Sequence, residues 1–474
     1  MHYDMLVIGT GPAGQKAAIQ SAKLGKKVGI IERTQVVGGV CINTGTIPSK
    51  SLREAVLHLS GFHQRSLYGA TYRVKQDITM DDLAFRTNRI INEEIRIIEH
   101  QMARNHVDLI FGMAAFLNPH RLAIKQAAGT LEHTADYIVI AAGTKPARPP
   151  EVPFDGQSII DTDELLLLKS LPSSLVIVGG GVIGTEYATI AAAMGIKVVL
   201  VDRRPELLEF VDAEIIEALQ CQLREIGIML YLNEEVIRIQ KKPDGRIFAS
   251  LESGREMTAG TMMYSAGRIG ATQDLNLDAV GIKPDERGRL QVNEHYQTVV
   301  PHIYAAGDII GFPALASTSM QQGRLAACHA FGLVSEARPQ LLPFGIYTIP
   351  EISMVGPNEK DLQRDRVPYE VGIARYREIA RGKLIGDEIG MLKLLFHKHT
   401  RKLLGVHAIG EGATELIHIG QAVMAHGGKI DYFVENVFNY PTLAECYMVA
   451  ALAGLNRLPR PWPSEILPTE AGTS

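Results

Sequence analysis

The chain has no uncharged apolar run of the roughly 18 residues that a membrane-crossing helix needs, so no membrane partner is expected. It has only four cysteines, Cys41, Cys221, Cys328 and Cys446, and none stands in a C-x-x-C pair. That excludes a disulfide scaffold and suits a reducing cytoplasm, the expected location. Neither sign of charge prevails: 48 Lys and Arg face 52 Asp and Glu, a net charge of −4, with no basic excess to attract nucleic acid. The start, Met1-His2-Tyr3-Asp4, lacks a basic segment before a hydrophobic stretch, so no signal peptide is expected. Histidines are scattered. The nearest approach to a metal pair, His397 and His399, reads as a strand ending in a polar turn, and no metal centre is expected.

What is present is glycine, 45 residues of it, and length, 474 residues, enough for about three domains. The short apolar run Met5-Leu6-Val7-Ile8 leads into Gly9-Thr10-Gly11-Pro12-Ala13-Gly14. A helical stretch, Gln15 to Leu24, follows, then Val28-Gly29-Ile30-Ile31 and Glu32. This is G-x-G-x-x-G between strand and helix, the context in which it binds a dinucleotide. The first Gly makes the turn and the second lets backbone approach a pyrophosphate. The third lets helix pack on strand, and the helix N-terminus offers N–H donors to phosphate. The unit recurs: Leu175-Val176-Ile177-Val178, then Gly179-Gly180-Gly181-Val182-Ile183-Gly184, a helix, Val198-Val199-Leu200-Val201 and Asp202. Glu32 and Asp202 stand at the same offset from the last glycine, where an acid can hold ribose hydroxyls. Two such units predict two nucleotide sites.

Further strand ends follow the same architecture. Tyr137 to Ala142 runs into Gly143-Thr144, Met262 to Ala266 into Gly267-Arg268, and His302 to Ala306 into Gly307-Asp308. Between Lys50 and Val107 the pattern is helical. There Glu93, Glu94, Arg96 and Glu99 lie among isoleucines, which predicts an amphipathic helix with a solvated face. From about Phe344 hairpin signals appear around Met391 to Ile409, then helices over Ala413–Ala425 and Thr442–Gly454. The expected fold is α/β: two Rossmann-type dinucleotide-binding domains plus a C-terminal α+β domain. The expected boundaries are 1–146 and 275–343 for the first, 147–274 for the second and 344–457 for the third. A Pro-rich tail, 458–474, is expected to be disordered.

The order of these motifs resembles the flavoprotein disulfide reductases, over roughly residues 3 to 457. The resemblance implies that the first fingerprint binds FAD, through Gly9, Gly11, Gly14, Glu32, Arg33, Gly38, Gly39, Cys41, Lys50, Gly143 and Asp308. It implies that the second binds NAD(P), through Gly179, Gly181, Gly184, Glu186, Asp202, Arg203, Arg204 and Gly267. It also implies that the third domain joins two copies in a homodimer or larger homo-oligomer.

Two departures narrow the reading. The family's redox motif, G-G-x-C-x-N-x-G-C-I-P-S-K, here runs Gly38 to Lys50, with Thr46 in place of the second cysteine. Its H-x-H-P-T-x-x-E appears as Phe438-Asn439-Tyr440-Pro441-Thr442-Leu443-Ala444-Glu445, with Tyr440 in place of the acid–base histidine. In both departures the chain resembles the soluble pyridine nucleotide transhydrogenases. The expected activity is therefore FAD-dependent hydride transfer from NADPH to NAD, ping-pong at one nicotinamide site, without a redox disulfide. The resemblance implies that Lys50 and Glu186 stand at the flavin ring as an ion pair with Thr46, no longer a redox group, beside it; Tyr440 and Glu445 are the further catalytic candidates. Asp202 followed by Arg203 and Arg204 suits both nucleotides: an acid for a ribose 2′-hydroxyl, a guanidinium fork for a 2′-phosphate. An NAD(P)H diaphorase or quinone reductase would use the same half-reaction. A non-enzymatic nucleotide sensor would need none of the flavin-side residues.

Overall fold

The computed structural model describes residues 1–333 and 341–459; most of the expected disordered tail, with Trp462, lies outside them. The chain forms two compact units. One comprises Met1–Phe62, Thr71–Leu208 and Leu223–Gln340; the other comprises His63–Ala70, Glu209–Gln222 and the chain from Leu341 onward.

The first unit is built on two parallel sheets. In one, strands Asp108–Phe111, Val28–Glu32, His2–Ile8 and Gly129–Ile140 lie side by side in parallel, and Ile303–Ala305 pairs with the end of Gly129–Ile140. A hairpin of Met113–Asn118 and Arg121–Gln126 continues the sheet in antiparallel fashion. Parallel strands covered on both faces need unbroken apolar runs, and Met5, Leu6, Val7 and Ile8 are all buried. The helix after the glycine turn starts at Pro12, earlier than the expected Gln15. Proline suits a first helical position, because its fixed φ is already helical and its missing N–H would have had no partner. Helix Ala316–Ala330 packs on this one through small residues: a Cβ on Gly323 would lie 2.0 Å from the Ala13 carbonyl oxygen.

The second sheet repeats the arrangement with Met229–Leu232, Lys197–Asp202, Ser174–Val178, Thr261–Tyr264 and Ile159–Asp161, all parallel. A three-stranded antiparallel sheet, Val236–Lys241, Ile247–Leu251 and Glu256–Ala259, adjoins it in sequence. The short strands Thr144–Pro146 and Arg268–Gly270 pair antiparallel with each other. The amphipathic helix is Met80–Arg104. Thr79 caps it: its hydroxyl accepts the Asp82 N–H, and the Asp82 carboxylate accepts the Thr79 N–H.

The second unit is antiparallel, in the order Phe344–Ile346, Ile352–Val355, Leu403–Ile409, Met391–His397 and Tyr369–Arg375. Helices Ala413–Ala425 and Glu445–Leu455 pack on it around Phe396, Val406, Phe433 and Tyr447. The last helix begins at Glu445, not Thr442, because Thr442 to Ala444 form a turn; the Thr442 hydroxyl donates to the Asn439 carbonyl. His397 does end its strand, and its Nδ1 accepts the backbone N–H groups of His399 and Thr400.

A lysine sits fully inside this unit. Lys393 is 0% exposed, and its ammonium lies 2.9 Å from Asp212 and 2.6 Å from Glu214, with Glu359 as a third partner. Burial opposes its charge, but the three carboxylates raise its pKa above the ordinary lysine value. Removing one member of a buried ion cluster leaves the others unpaired, at a cost of about 3 kcal/mol or more. Lys393→Met should therefore lower the denaturation midpoint of this unit strongly. Lys398→Met, which loses only a 3.6 Å pair to Glu370 at a half-exposed site, should be close to neutral. Equal midpoints in urea titrations of the two variants would contradict this account.

Candidate active site

The two glycine turns have the same geometry. Gly9 and Gly179 adopt φ of +102° and +108°, open only to residues without a side chain. A Cβ on Gly14 would lie 1.9 Å from the Gly9 carbonyl oxygen, and one on Gly184 1.9 Å from that of Gly179, so helix and turn touch there. Gly11 and Gly181 differ: a Cβ on either would meet nothing within 4 Å. That open space lies at the start of each helix, over backbone N–H donors, and fits a pyrophosphate.

Each strand-end acid fastens its own turn. Glu32 Oε2 accepts the backbone N–H of Thr10 at 3.2 Å and the Thr10 hydroxyl, while Oε1 accepts the N–H and hydroxyl of Thr34, both at 3.0 Å. Asp202 accepts the N–H of Gly180, the residue matching Thr10. The acids brace the loops that would surround a ligand.

The first turn opens on a cavity of about 460 Å³. Gly9, Gly11, Glu32, Arg33, Gly39, Cys41, Thr46, Gly143 and Asp308 line it, whereas Gly14, Gly38 and Lys50, also expected there, do not. Asp308 receives a 3.4 Å hydrogen bond from the Ser319 hydroxyl, and burial raises its pKa against the pull of Arg268. Its remaining acceptor capacity suits the hydroxyls of a polyol chain, as a flavin ribityl requires. The second turn opens on a cavity of about 530 Å³, lined by Gly179, Gly181, Asp202, Arg203, Arg204 and Gly267.

Lys50 stands one turn beyond Thr46 on helix Thr46–Ser60, and Glu186 one turn into helix Val182–Ala193. Their side chains meet at 2.7 Å, Lys50 a quarter exposed and Glu186 nearly enclosed. The expected pair is thus formed across 136 residues. Tyr440 and Glu445 belong to the second unit. Tyr440 is exposed, and Glu445 Oε2 is enclosed without a hydrogen-bond partner among the described residues.

Sequence reasoning passed over the wall common to both cavities. Thr144 and Asp163 line the first cavity; Thr162 and Arg268 line the second. The Arg268 guanidinium joins them, donating through Nε to the Thr144 hydroxyl at 2.9 Å, through Nη2 to the Thr144 carbonyl at 3.1 Å and through Nη1 to Asp163 at 3.0 Å. A signal existed: Gly143-Thr144 and Gly267-Arg268 end equivalent strands, and those ends pair with each other.

Two dinucleotide cradles on parallel sheets, with a Lys–Glu pair between their flanking helices and a wall common to both, define a pyridine-nucleotide-linked oxidoreductase. The sequence pattern of the pyridine nucleotide-disulphide oxidoreductases matches residues 3–323, and that of their dimerisation domain matches residues 342–451. The chain belongs to this family. It is 53% identical over 458 residues to the soluble pyridine nucleotide transhydrogenase of Mycobacterium tuberculosis (strain ATCC 25177 / H37Ra), covering 96% of this chain and 98% of that one. It is 44% identical over 461 residues to the enzyme of the same name from Colwellia psychrerythraea, with the same coverage. Among solved structures, LpdA of Mycobacterium tuberculosis superposes with a TM-score of 0.87 at 26% identity, covering 94% of this chain and 99% of that one. The HOCl-induced flavoprotein disulfide reductase RclA of Escherichia coli gives 0.85 at 27%, covering 95% and 99%. No helix among the described residues is long and apolar enough to cross a membrane.

All four cysteines are free thiols. Burial pushes the Cys41 thiol up, outweighing the Thr46 hydrogen bond and the Lys50 charge that pull it down. A raised thiol is a poor nucleophile near neutral pH. Iodoacetamide at pH 8 should therefore label exposed Cys221 well before Cys41, as followed by peptide mass spectrometry. Faster labelling of Cys41 would show an activated thiolate instead.

Proposed function

We propose that this protein transfers hydride between NADPH and NAD through a bound FAD, without a redox disulfide. The observation that carries the reading is Thr46. It sits on the wall of the first cavity with Cys41, the one cysteine lining that cavity among the described residues. A disulfide reductase passes electrons from flavin to a pair of cysteines. Here that route is closed, while the second nucleotide cavity is retained. Electrons that enter from one nucleotide leave to another. The names of the relatives support the same reading.

In this reading residues 1–146 and 275–343 hold FAD, 147–274 hold the nicotinamide nucleotide, and 344–457 join two copies in the cytoplasm. FAD, when bound, supplies the two-electron relay. The chain supplies the rest. Gly9, Gly11 and Gly14 admit one pyrophosphate and Gly179, Gly181 and Gly184 the other, each at a helix N-terminus. Gly38 and Gly39 shape the chain beneath the first, with Gly39 packed against Gly11. Asp308 accepts polyol hydroxyls, and Arg33 stands at the nucleotide end beside Glu32. Lys50, oriented by Glu186, sets positive charge beside the ring that gains electrons. Preorganised charge of this kind commonly dominates catalysis. Tyr440 and Glu445 stand where disulfide reductases keep their proton shuttle, which hydride exchange between nucleotides does not require. One nicotinamide cavity serves both nucleotides in turn, so the first product leaves before the second substrate enters.

Initial rates of NADPH oxidation with thio-NAD as acceptor should give parallel double-reciprocal lines; converging lines would require both nucleotides to be bound at once. The specificity constant for thio-NAD should exceed that for quinones, and the reverse order would make the protein a diaphorase. Lys50→Met should slow flavin reduction by NADPH about tenfold or more while FAD stays bound. Cys41→Ser should keep turnover within the same order of magnitude. A long-wavelength thiolate–flavin band on anaerobic titration, or loss of turnover in Cys41→Ser, would overturn the thiol-free route.

A further inference from the structure

The strand Lys197–Asp202 ends on a carboxylate whose acceptor sites are already taken. Oδ1 accepts the Arg204 backbone N–H at 2.8 Å and its Nε–H at 2.9 Å. Oδ2 accepts Arg204 Nη2 at 2.8 Å and the Gly180 N–H at 2.5 Å. A carboxylate offers about four lone-pair sites, and four donors fill them. Asp202 is buried, while the Arg204 side chain remains about a third exposed in the cavity wall. Burial alone would raise the Asp202 pKa; the Arg204 donors and the Gly180 N–H hold it below the ordinary carboxylate value, so the pair stays ionised. The geometry is the two-pronged fork that arginine makes with a carboxylate and lysine cannot.

Sequence reasoning gave Asp202 to the ribose of NAD and Arg203, Arg204 or both to the 2′-phosphate of NADP. The structure divides the labour differently. Arg203 is exposed and lines the same cavity, whereas Arg204 is turned onto Asp202. Over the whole cavity, Arg203, Arg204 and Arg268 stand against Asp202, Glu234 and Glu235, so neither sign prevails.

Resting on the transhydrogenase reading, we propose that Arg204 makes the cavity tolerant of both nucleotides indirectly. It cancels the Asp202 charge and occupies its acceptor sites, leaving Arg203 to meet the 2′-phosphate. A bare strand-end carboxylate does two things: it hydrogen-bonds the 2′-hydroxyl of NAD and repels the 2′-phosphate of NADP. The Arg204 fork removes both effects at once. NAD then binds without a gain from Asp202, and NADP without a penalty. Arg204 is a positioning residue in this scheme, because it acts through Asp202.

The test is a double-mutant cycle read as equilibrium binding of NAD+ and NADP+ to the FAD-bound protein by calorimetry, which needs no turnover. Arg204→Gln should weaken NADP+ about tenfold or more and leave NAD+ unchanged or tighter. Adding Asp202→Asn should restore NADP+ to within about threefold of the parent. Arg203→Gln should weaken NADP+ in every background. If the double variant binds NADP+ no better than Arg204→Gln alone, Arg204 contacts the phosphate itself and the proposal fails. If Arg204→Gln weakens both nucleotides equally, the pair only braces the Gly180 turn, and the proposal also fails. Asp202→Asn alone decides the matter even where Arg204→Gln does not fold: NAD+ affinity should hold, and a loss of about tenfold or more would return the ribose to Asp202. Absent thio-NAD turnover in the parent protein would sink the transhydrogenase reading, while the binding cycle would still report on Arg204.

Discussion

The contact between Lys50 and Glu186 is the constraint on which the rest of the site turns. Lys50 follows the stretch that would have carried the second redox cysteine, and Glu186 lies in the helix of the second glycine turn. Enclosing two charges costs free energy unless the geometry is good, so the 2.7 Å pair is weak evidence of stabilisation. What it does is join helix Thr46–Ser60, whose first residue lines the first cavity, to helix Val182–Ala193, whose first residues line the second. Thr144, Asp163 and Arg268 meet separately in the wall common to both cavities.

The two cradles solve one problem twice and differ at one point. Both have a left-handed first glycine, an open second glycine and a third glycine pressed against the first. Both end the next strand on an acid that pins the turn. The difference is what closes the acid from outside. Glu32 is closed by Thr34, a neutral hydroxyl and N–H, and Asp202 by Arg204, a full charge. A resident cofactor with unphosphorylated riboses places no demand on charge near Glu32. A cavity that admits both NAD and NADP, as proposed for the second, does, and the arginine lies there.

Much of this was legible in the residues themselves. Gly-x-Gly-x-x-Gly is a local instruction: each glycine is needed for a backbone angle or a close approach set within a few residues, so motif and structure coincide. The run Ala413–Ala425 was read as a helix with the bounds it has, because apolar spacing and the residues at its ends are local too. Thr46 and Tyr440 were legible as departures from a familiar pattern. Helix starts at Pro12 and Glu445 were misjudged by about a turn, where proline chemistry and a side-chain bond to Asn439 decide the boundary.

Tertiary structure alone decided which charges meet. Lys393 lies in a hairpin strand and, as a lysine, would pass for a solvated residue. It is instead buried, because Asp212, Glu214 and Glu359 arrive from distant parts of the chain to receive it. Arg268 carries no motif, and its partners Thr144 and Asp163 lie more than a hundred residues away. Even Asp202 and Arg204, two residues apart, could have faced a ligand separately; the fold turned one onto the other. Backbone conformation follows from neighbours in sequence, and so the sequence by itself determined the two cradles and the order of their strands and helices along the chain. Electrostatic pairing depends on distance in space and on exclusion of water, and only the folded chain sets those.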